Sequence, residues 1–132
     1  MLEPTRLLLV DDHAVVREGY RRLLETRAEL RIVGEAATAR DALDAFRRLA
    51  PDVLVLDLGL PDMGGVELIR RLLQREPGAR ILVFTMHREP LFATQALRAG
   101  AQGYVTKSSP PEVLVQAVLQ VARAEGHSVT FR

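Results

Sequence analysis

Apolar residues fall into two patterns along the chain. Leu7-Leu8-Leu9-Val10, Val53-Leu54-Val55-Leu56 and Ile81-Leu82-Val83-Phe84 are short unbroken runs, each ending at a polar residue. Runs of this kind predict strands buried on both faces. Arg31-Ile32-Val33-Gly34-Glu35-Ala36 and Gln102-Gly103-Tyr104-Val105 are weaker runs with polar members, as expected of strands at a sheet edge. Between the runs, apolar positions recur at helical spacing. Val15, Val16, Tyr20, Leu23 and Leu24 mark a helix over 14–27, with Asp12 where its N-cap would stand. Thr38 opens a second helix with an acid, Asp41, three positions on, and Pro51 stops it after Ala50. A third helix runs from Gly65 to Arg75, and a fourth from Pro90 through Leu91, Phe92, Ala96 and Leu97 to Gly100. Ser109-Pro110-Pro111-Glu112 has capping-box spacing and opens a fifth, which carries Val113, Leu114, Val118 and Val121 to about Ala124.

Strand and helix thus alternate five times. This alternation predicts one parallel sheet with helices on both faces. The three most apolar strands belong at its centre. The order 2-1-3-4-5 places them there, in an α/β, flavodoxin-like, doubly wound (βα)5 three-layer sandwich with a five-stranded sheet. Residues 1–125 form this domain, and 126–132, with His127, form a tail. A chain of 132 residues supports one such core and not two.

Composition narrows the picture by exclusion. Apolar residues make up 48% and charged residues 27%, ordinary for a globular protein. A net charge of +1 with interspersed signs suggests neither nucleic acid nor an anionic membrane as a direct partner. Without cysteine there are no disulfides or thiolate metal sites. No signal-peptide pattern or membrane-length apolar run is present, so a cytoplasmic location is expected.

In a parallel sheet the carboxyl ends of strands share one rim. Here that rim carries Asp11, Asp12, Asp57, Thr85 and Lys107, each where an apolar run turns polar. Ligands of open α/β sheets bind at this edge. Neighbouring carboxylates raise one another's pKa values, and a hard divalent cation relieves the repulsion; oxygen donors favour Mg²⁺. A carboxylate can attack phosphorus and form an acyl phosphate. Mg²⁺, the Lys107 ammonium and the Thr85 hydroxyl would stabilise the incoming phosphoryl oxygens. Asp57 is therefore expected to accept a phosphoryl group. Each residue alone has a plainer explanation. Asp12 or Asp62 reads as a helix cap, Lys107 as surface, Tyr104 as core, Gly64-Gly65 as a turn, and His13 and His87 as loop residues without the partners of a metal site. Their joint arrival on one rim outweighs those readings for the acids, Thr85 and Lys107.

Four stretches carry a resemblance: Leu8-Leu9-Val10-Asp11-Asp12, Val55-Leu56-Asp57-Leu58-Gly59-Leu60-Pro61-Asp62-Met63-Gly64-Gly65, Val83-Phe84-Thr85 and Gly103-Tyr104-Val105-Thr106-Lys107. Over residues 6–124 the chain resembles the receiver domain of bacterial two-component response regulators. Asp11-Asp12-His13-Ala14-Val15-Val16-Arg17-Glu18-Gly19 is most similar to the nitrate/nitrogen-fixation subfamily, whose receivers precede a LuxR-type helix-turn-helix. The resemblance implies that Asp57 is the phosphoacceptor. It implies that Asp11 and Asp12, with Asp57 and the Gly59 carbonyl, hold Mg²⁺, and that Lys107 pairs with a phosphoryl oxygen. Thr85 and Tyr104 would be the switch. The implied donor is a sensor histidine kinase. The domain would be a signalling phosphoacceptor, an enzyme only towards its own phosphorylation and dephosphorylation. A second copy is an implied partner, and DNA is reached only through an output domain absent from this chain.

Two departures bear on the site. Ser108 follows Lys107 where many receivers carry proline, often after a cis bond. Gly59 and Met86 flank the acceptor, and glycine leaves that flank open to water. The tail reads as the start of a linker, so an excised receiver is expected over a natural single-domain regulator. The competing readings are a receiver-fold binding module that never uses phosphate, an aspartyl-intermediate phosphatase and a flavin domain. The phosphatase would need an acid where Gly59 stands, and Asp11-Asp12-His13 would repel a flavin's phosphate.

Overall fold

The computed structural model describes residues 3–123 and 129–130. Its elements are β1 (Thr5–Val10), α1 (Ala14–Glu25), β2 (Leu30–Ala36), α2 (Ala39–Leu49), β3 (Val53–Leu56), α3 (Gly65–Arg75), β4 (Arg80–Thr85), α4 (Pro90–Ala99), β5 (Gly103–Thr106), α5 (Pro111–Arg123) and β6 (Val129–Thr130). All pairings are parallel, in the order β2-β1-β3-β4-β5-β6. The expected 2-1-3-4-5 order is present, and β6 extends it by pairing Val129 and Thr130 with Gly103 and Tyr104. His127 and the rest of the expected tail lie outside the described residues.

Side-chain alternation along each strand splits the core in two. Leu8, Val10, Leu54, Leu56, Ile81, Val83 and Tyr104 pack with α2, α3 and α4. Leu7, Leu9, Val53, Val55, Leu82, Phe84 and Val105 pack with α1 and α5. This two-sided burial is why β1, β3 and β4 read as unbroken apolar runs. Each fully buried Leu or Val contributes about 1.5–3 kcal/mol, and every residue of β3 is buried. Val113 aside, the apolar residues singled out on α5 are spent on this packing: Leu114, Val118 and Val121 are at most 1% exposed.

The helix ends carry most of the corrections. Thr38 caps α2 as expected, accepting the Asp41 N–H at 3.0 Å. At α1 the N-cap is His13 rather than Asp12, and no side chain caps it. That helix stops at Glu25, short of Arg27, where the Thr26 hydroxyl donates to the Leu23 carbonyl at 2.6 Å. Val15 is 86% exposed and Leu91 63% exposed. At about 100° per residue, Val15 lies well off the Val16–Tyr20–Leu23–Leu24 stripe. Ser109 makes no capping box: its Oγ lies 3.2 Å from Thr106 Oγ1, and α5 starts at Pro111. No cis peptide bond occurs among the described residues, so the Lys107–Ser108 bond is trans.

Asp62 is indeed a cap, but across a loop. Its carboxylate accepts the N–H groups of Ala39 at 2.8 Å and Arg40 at 3.0 Å, satisfying orphan donors at the start of α2. Those bonds hold its pKa below the ordinary carboxylate value, and they tie the β3–α3 loop to α2. Among the described residues, no helix is long and apolar enough to cross a membrane.

The Gly64-Gly65 pair is asymmetric. A Cβ on Gly65 would lie 2.6 Å from Leu58 Cα and 2.6 Å from its Cδ2, whereas one on Gly64 meets nothing within 4 Å. Leu58 directly follows Asp57, so the space matters to the acceptor loop. Gly65→Ala is expected to cost about 1–3 kcal/mol through overpacking. Gly64→Ala should stay within about 0.5 kcal/mol. Urea unfolding followed by circular dichroism measures both; equal costs would refute the packing argument.

Candidate functional site

Three backbone rungs carry the site. The N–H of Asp11 donates to Ala36 O at 3.0 Å, that of Asp57 to Val10 O at 2.9 Å, and that of Lys107 to Thr85 O at 2.8 Å. Each residue lies just past its strand yet remains bonded to the neighbouring one. β1 lies between β2 and β3 in the sheet, so Asp11 and Asp57 stand at the switch in strand order where a crevice opens. Alternation then aims the side chains. Asp11, Asp57 and Lys107 follow Leu9, Val55 and Val105 by two positions, and those residues face α1 and α5. Thr85 follows Val83, which faces the opposite side with Tyr104. The charged residues and the two switch candidates therefore sit on opposite faces of one strand-end rim.

The Lys107 ammonium is shared between two acids. Nζ lies 2.6 Å from Asp11 Oδ2 and 3.1 Å from Asp57 Oδ2, with all three side chains at most 10% exposed. Asp57 Oδ1 accepts the Gly59 N–H at 3.2 Å. Beneath the amine are two rings, Tyr20 at 5.7 Å and Phe84 at 5.9 Å, packed edge-on at 4.6 Å. Such cation–π contacts add about 0.5–2 kcal/mol and restrict where the amine can point. The sequence assigns Tyr20 to the core by helical periodicity and Phe84 by an unbroken apolar run, and nothing in either pattern signals that the core ends under the site.

Burial pushes Asp57 towards a higher pKa, but the Lys107 ammonium, the Thr85 hydroxyl and the Gly59 N–H outweigh it and hold the carboxyl below its ordinary value. Burial pulls Lys107 down, and its bonds to Asp11 and Asp57 outweigh that and raise it. Both groups are thus ionised at neutral pH. Thr85 is fully buried, and its Oγ1 also accepts the His87 N–H at 3.5 Å. Tyr104 is buried at 3% exposure and donates its hydroxyl proton to the His87 carbonyl. Burial, then the charges of Glu89 and Asp57, push its pKa up to about 12.

His13 departs from the expectation of a loop residue without metal-site partners. Its N–H donates to Asp11 Oδ1 at 2.9 Å, and its Nδ1 lies 2.9 Å from Asp12 Oδ1 and 3.3 Å from Asp11 Oδ1. Asp11, Asp12, His13 and Asp57 each offer a ligand atom, all within 4.8 Å of one another. The clue available in the sequence was adjacency to two acids. One ammonium against three carboxylates leaves the pocket anionic. Two unit charges at that separation repel by about 3–4 kcal/mol at an effective dielectric constant of about 20. Clustered oxygen donors with excess negative charge suit a hard divalent cation, and Mg²⁺ takes one or two carboxylates and keeps waters. The residues present therefore fit Mg²⁺. A concavity of about 780 Å³ lies elsewhere, among Thr5, Phe46, Pro51 and Arg80, and includes none of these residues.

Removing the shared amine exposes this repulsion. Lys107→Met is expected to cost about 3–5 kcal/mol at pH 7, as for other broken buried pairs. Because the folded-state pKa of Asp57 is depressed, its contribution is present above the ordinary carboxylate pKa of about 3.9 and is lost as pH falls through the lowered value. The cost of Lys107→Met should therefore shrink in acid. Urea unfolding at pH 7 and near pH 3 tests this, and a pH-independent cost would refute it.

Residues 7–119 match the family of response regulator receiver domains. The chain is 41% identical to the response regulator GacA of Pseudomonas aeruginosa, across 88% of this chain and 54% of that protein. It is 35% identical to the nitrate/nitrite response regulator NarL of Escherichia coli, across 93% of this chain and 57% of that protein. It thus spans about half the length of these curated relatives. Among solved structures, a LuxR-family two-component response regulator from an Aurantimonas species superposes with a TM-score of 0.92 and 48% identity, over 98% of this chain and 90% of that one. On these matches the chain belongs to the response regulator receiver family, on the branch of LuxR-family, NarL-type signalling proteins.

Proposed function

We propose that Asp57 accepts a phosphoryl group from a phosphohistidine of a sensor kinase, and that the domain then switches an output, transcription through a DNA-binding domain. The observation that carries this reading is the Lys107 ammonium held between Asp57 and Asp11, 3.1 Å and 2.6 Å away. A carboxylate so placed is ionised, oriented and beside a positive charge that can follow the phosphate. Asp57 attacks phosphorus, an O–P bond forms as the P–N bond breaks, and the electron pair stays on the departing histidine nitrogen. Asp11, Asp12, Asp57 and the Gly59 carbonyl would hold Mg²⁺, which would neutralise charge on the phosphoryl oxygens. Lys107 transfers its hydrogen bond from the carboxylate to a phosphoryl oxygen.

Thr85 then turns its hydroxyl proton from the Asp57 carboxylate to a phosphoryl oxygen. That new contact favours one arrangement of the β4–α4 loop, where Tyr104 holds the His87 carbonyl. The phosphate thereby shifts a pre-existing equilibrium of the α4–β5–α5 face. A second copy of the domain or a tethered output domain would read that face. The proposed setting is the cytoplasm. The proposed lifetime control is water reaching the phosphate past Gly59, where an added Cβ would meet only Asp57 Oδ1, 3.9 Å away; this is the self-catalysed dephosphorylation.

Acetyl phosphate with Mg²⁺ should add one phosphoryl mass to the intact protein, and Asp57→Ala should abolish the gain. A gain that persists in the variant overturns the assignment; no gain in the parent favours a phosphate-independent binding module. Gly59→Asn should lengthen the half-life of the labelled protein severalfold by obstructing water, followed on Phos-tag gels. Equal half-lives would sink the open-flank argument.

A further inference from the structure

Arg17 stands in the stretch from Asp11 to Gly19, next to the acidic loop and outside the proposed phosphoryl transfer. We infer that Arg17 is a positioning residue that sets the acidic loop in its metal-ready form, with Glu35 as its anchor. This rests on the proposed Mg²⁺-dependent role of Asp57.

The loop Asp11–His13 carries two of the pocket's acids, so the direction of its peptide groups decides where those carboxylates leave the chain. Both sides of Asp11 are gripped. Its N–H donates to the Ala36 carbonyl at the end of β2, at 3.0 Å. Its carbonyl accepts a hydrogen bond from Arg17 Nη1. Arg17 is carried to that point by the first rung of α1, its N–H donating to His13 O at 2.9 Å. Its Nε then binds Glu35 Oε1 at 3.1 Å, and Glu35 Oε2 accepts from Arg21 Nη1 at 2.7 Å. Glu35 lies on β2, in register with Leu9 on β1. The guanidinium thus ties the peptide that joins the two acids to the strand beside it.

This pair differs from the local arginine–carboxylate contacts on the described helices. Arg22–Glu18, Arg47–Asp44, Arg48–Asp44 and Arg71–Glu67 are local pairs on exposed helix faces. Contacts of that type contribute little. The Arg17 and Glu35 side chains are only 17% and 25% exposed and lie 18 residues apart in sequence. Arginine suits the place because its planar fork grips a carbonyl and a carboxylate at once, whereas lysine offers a single point charge.

Mg²⁺ titration by calorimetry tests the inference on the parent, Arg17→Ala, Arg17→Lys and Glu35→Gln, with urea unfolding and acetyl-phosphate labelling of each. Groups that orient metal ligands change metal affinity about 10–100-fold when removed. Arg17→Ala and Arg17→Lys should weaken Mg²⁺ binding by about tenfold, at the lower end of that range, and Glu35→Gln by a smaller factor. Labelling should need correspondingly more Mg²⁺ and recover when Mg²⁺ saturates. A merely structural role would lower the urea midpoint and leave the Mg²⁺ affinity of the folded protein unchanged. Affinity within twofold of the parent in Arg17→Ala, or full recovery in Arg17→Lys, overturns the inference. If Arg17→Ala does not fold, unchanged affinity in both Arg17→Lys and Glu35→Gln overturns it equally. A parent that neither binds Mg²⁺ nor takes label overturns the phosphoacceptor reading itself, so the two failures are distinguishable.

Discussion

Everything at the strand-end rim depends on one ammonium group between two buried carboxylates. Lys107 is separated from Asp11 by 96 residues and from Asp57 by 50, so no local structure brings them together. The sheet does. Each of the three is held by a backbone hydrogen bond to the adjacent strand just as its own strand ends. The apolar layers beneath oppose the repulsion among the acids, and the amine removes only part of it. What remains is a pocket with unspent negative charge, stabilised well enough to persist and open to a divalent cation.

The same sheet divides labour between its faces. Side-chain alternation sends Asp11, Asp57 and Lys107 towards α1 and α5, over the rings of Tyr20 and Phe84. It sends Thr85 and Tyr104 towards α4. A change in charge on one side can then be felt on the other through Thr85, whose hydroxyl helps keep Asp57 ionised and also holds the His87 N–H. The His87 carbonyl in turn accepts from Tyr104. This is a short physical link between the chemistry and the face proposed to report it, and it needs no large rearrangement of the core.

The acidic loop shows how a fold steadies a site it cannot place in regular structure. Asp11 and Asp12 fall between β1 and α1, where backbone is least constrained. β2 supplies a backbone acceptor, His13 bridges the two carboxylates, and Arg17 holds the Asp11 carbonyl against Glu35. At the opposite side of the rim, Asp62 fastens the β3–α3 loop to α2. Both loops that flank Asp57 are thus tied to elements outside the site.

The amino-acid order alone determined the five helices, the first five strands and their order, but not β6, because burial on two faces demands unbroken apolar runs and burial on one face demands periodicity. It also determined the membership of Asp11, Asp12, Asp57, Thr85 and Lys107 in one rim, since a parallel sheet aligns all strand ends. It did not, through apolar identity alone, set burial: Val15 lies well off its helix's stripe and is exposed. Nor could it see that Asp62 caps α2, that Ser109 turns to Thr106, or that His13 and Arg17 grip the acids. Those contacts join residues distant in sequence or set by loop geometry, where no period exists to read. Tertiary structure alone decided them, because only packed strands and helices fix where a loop's peptide groups point.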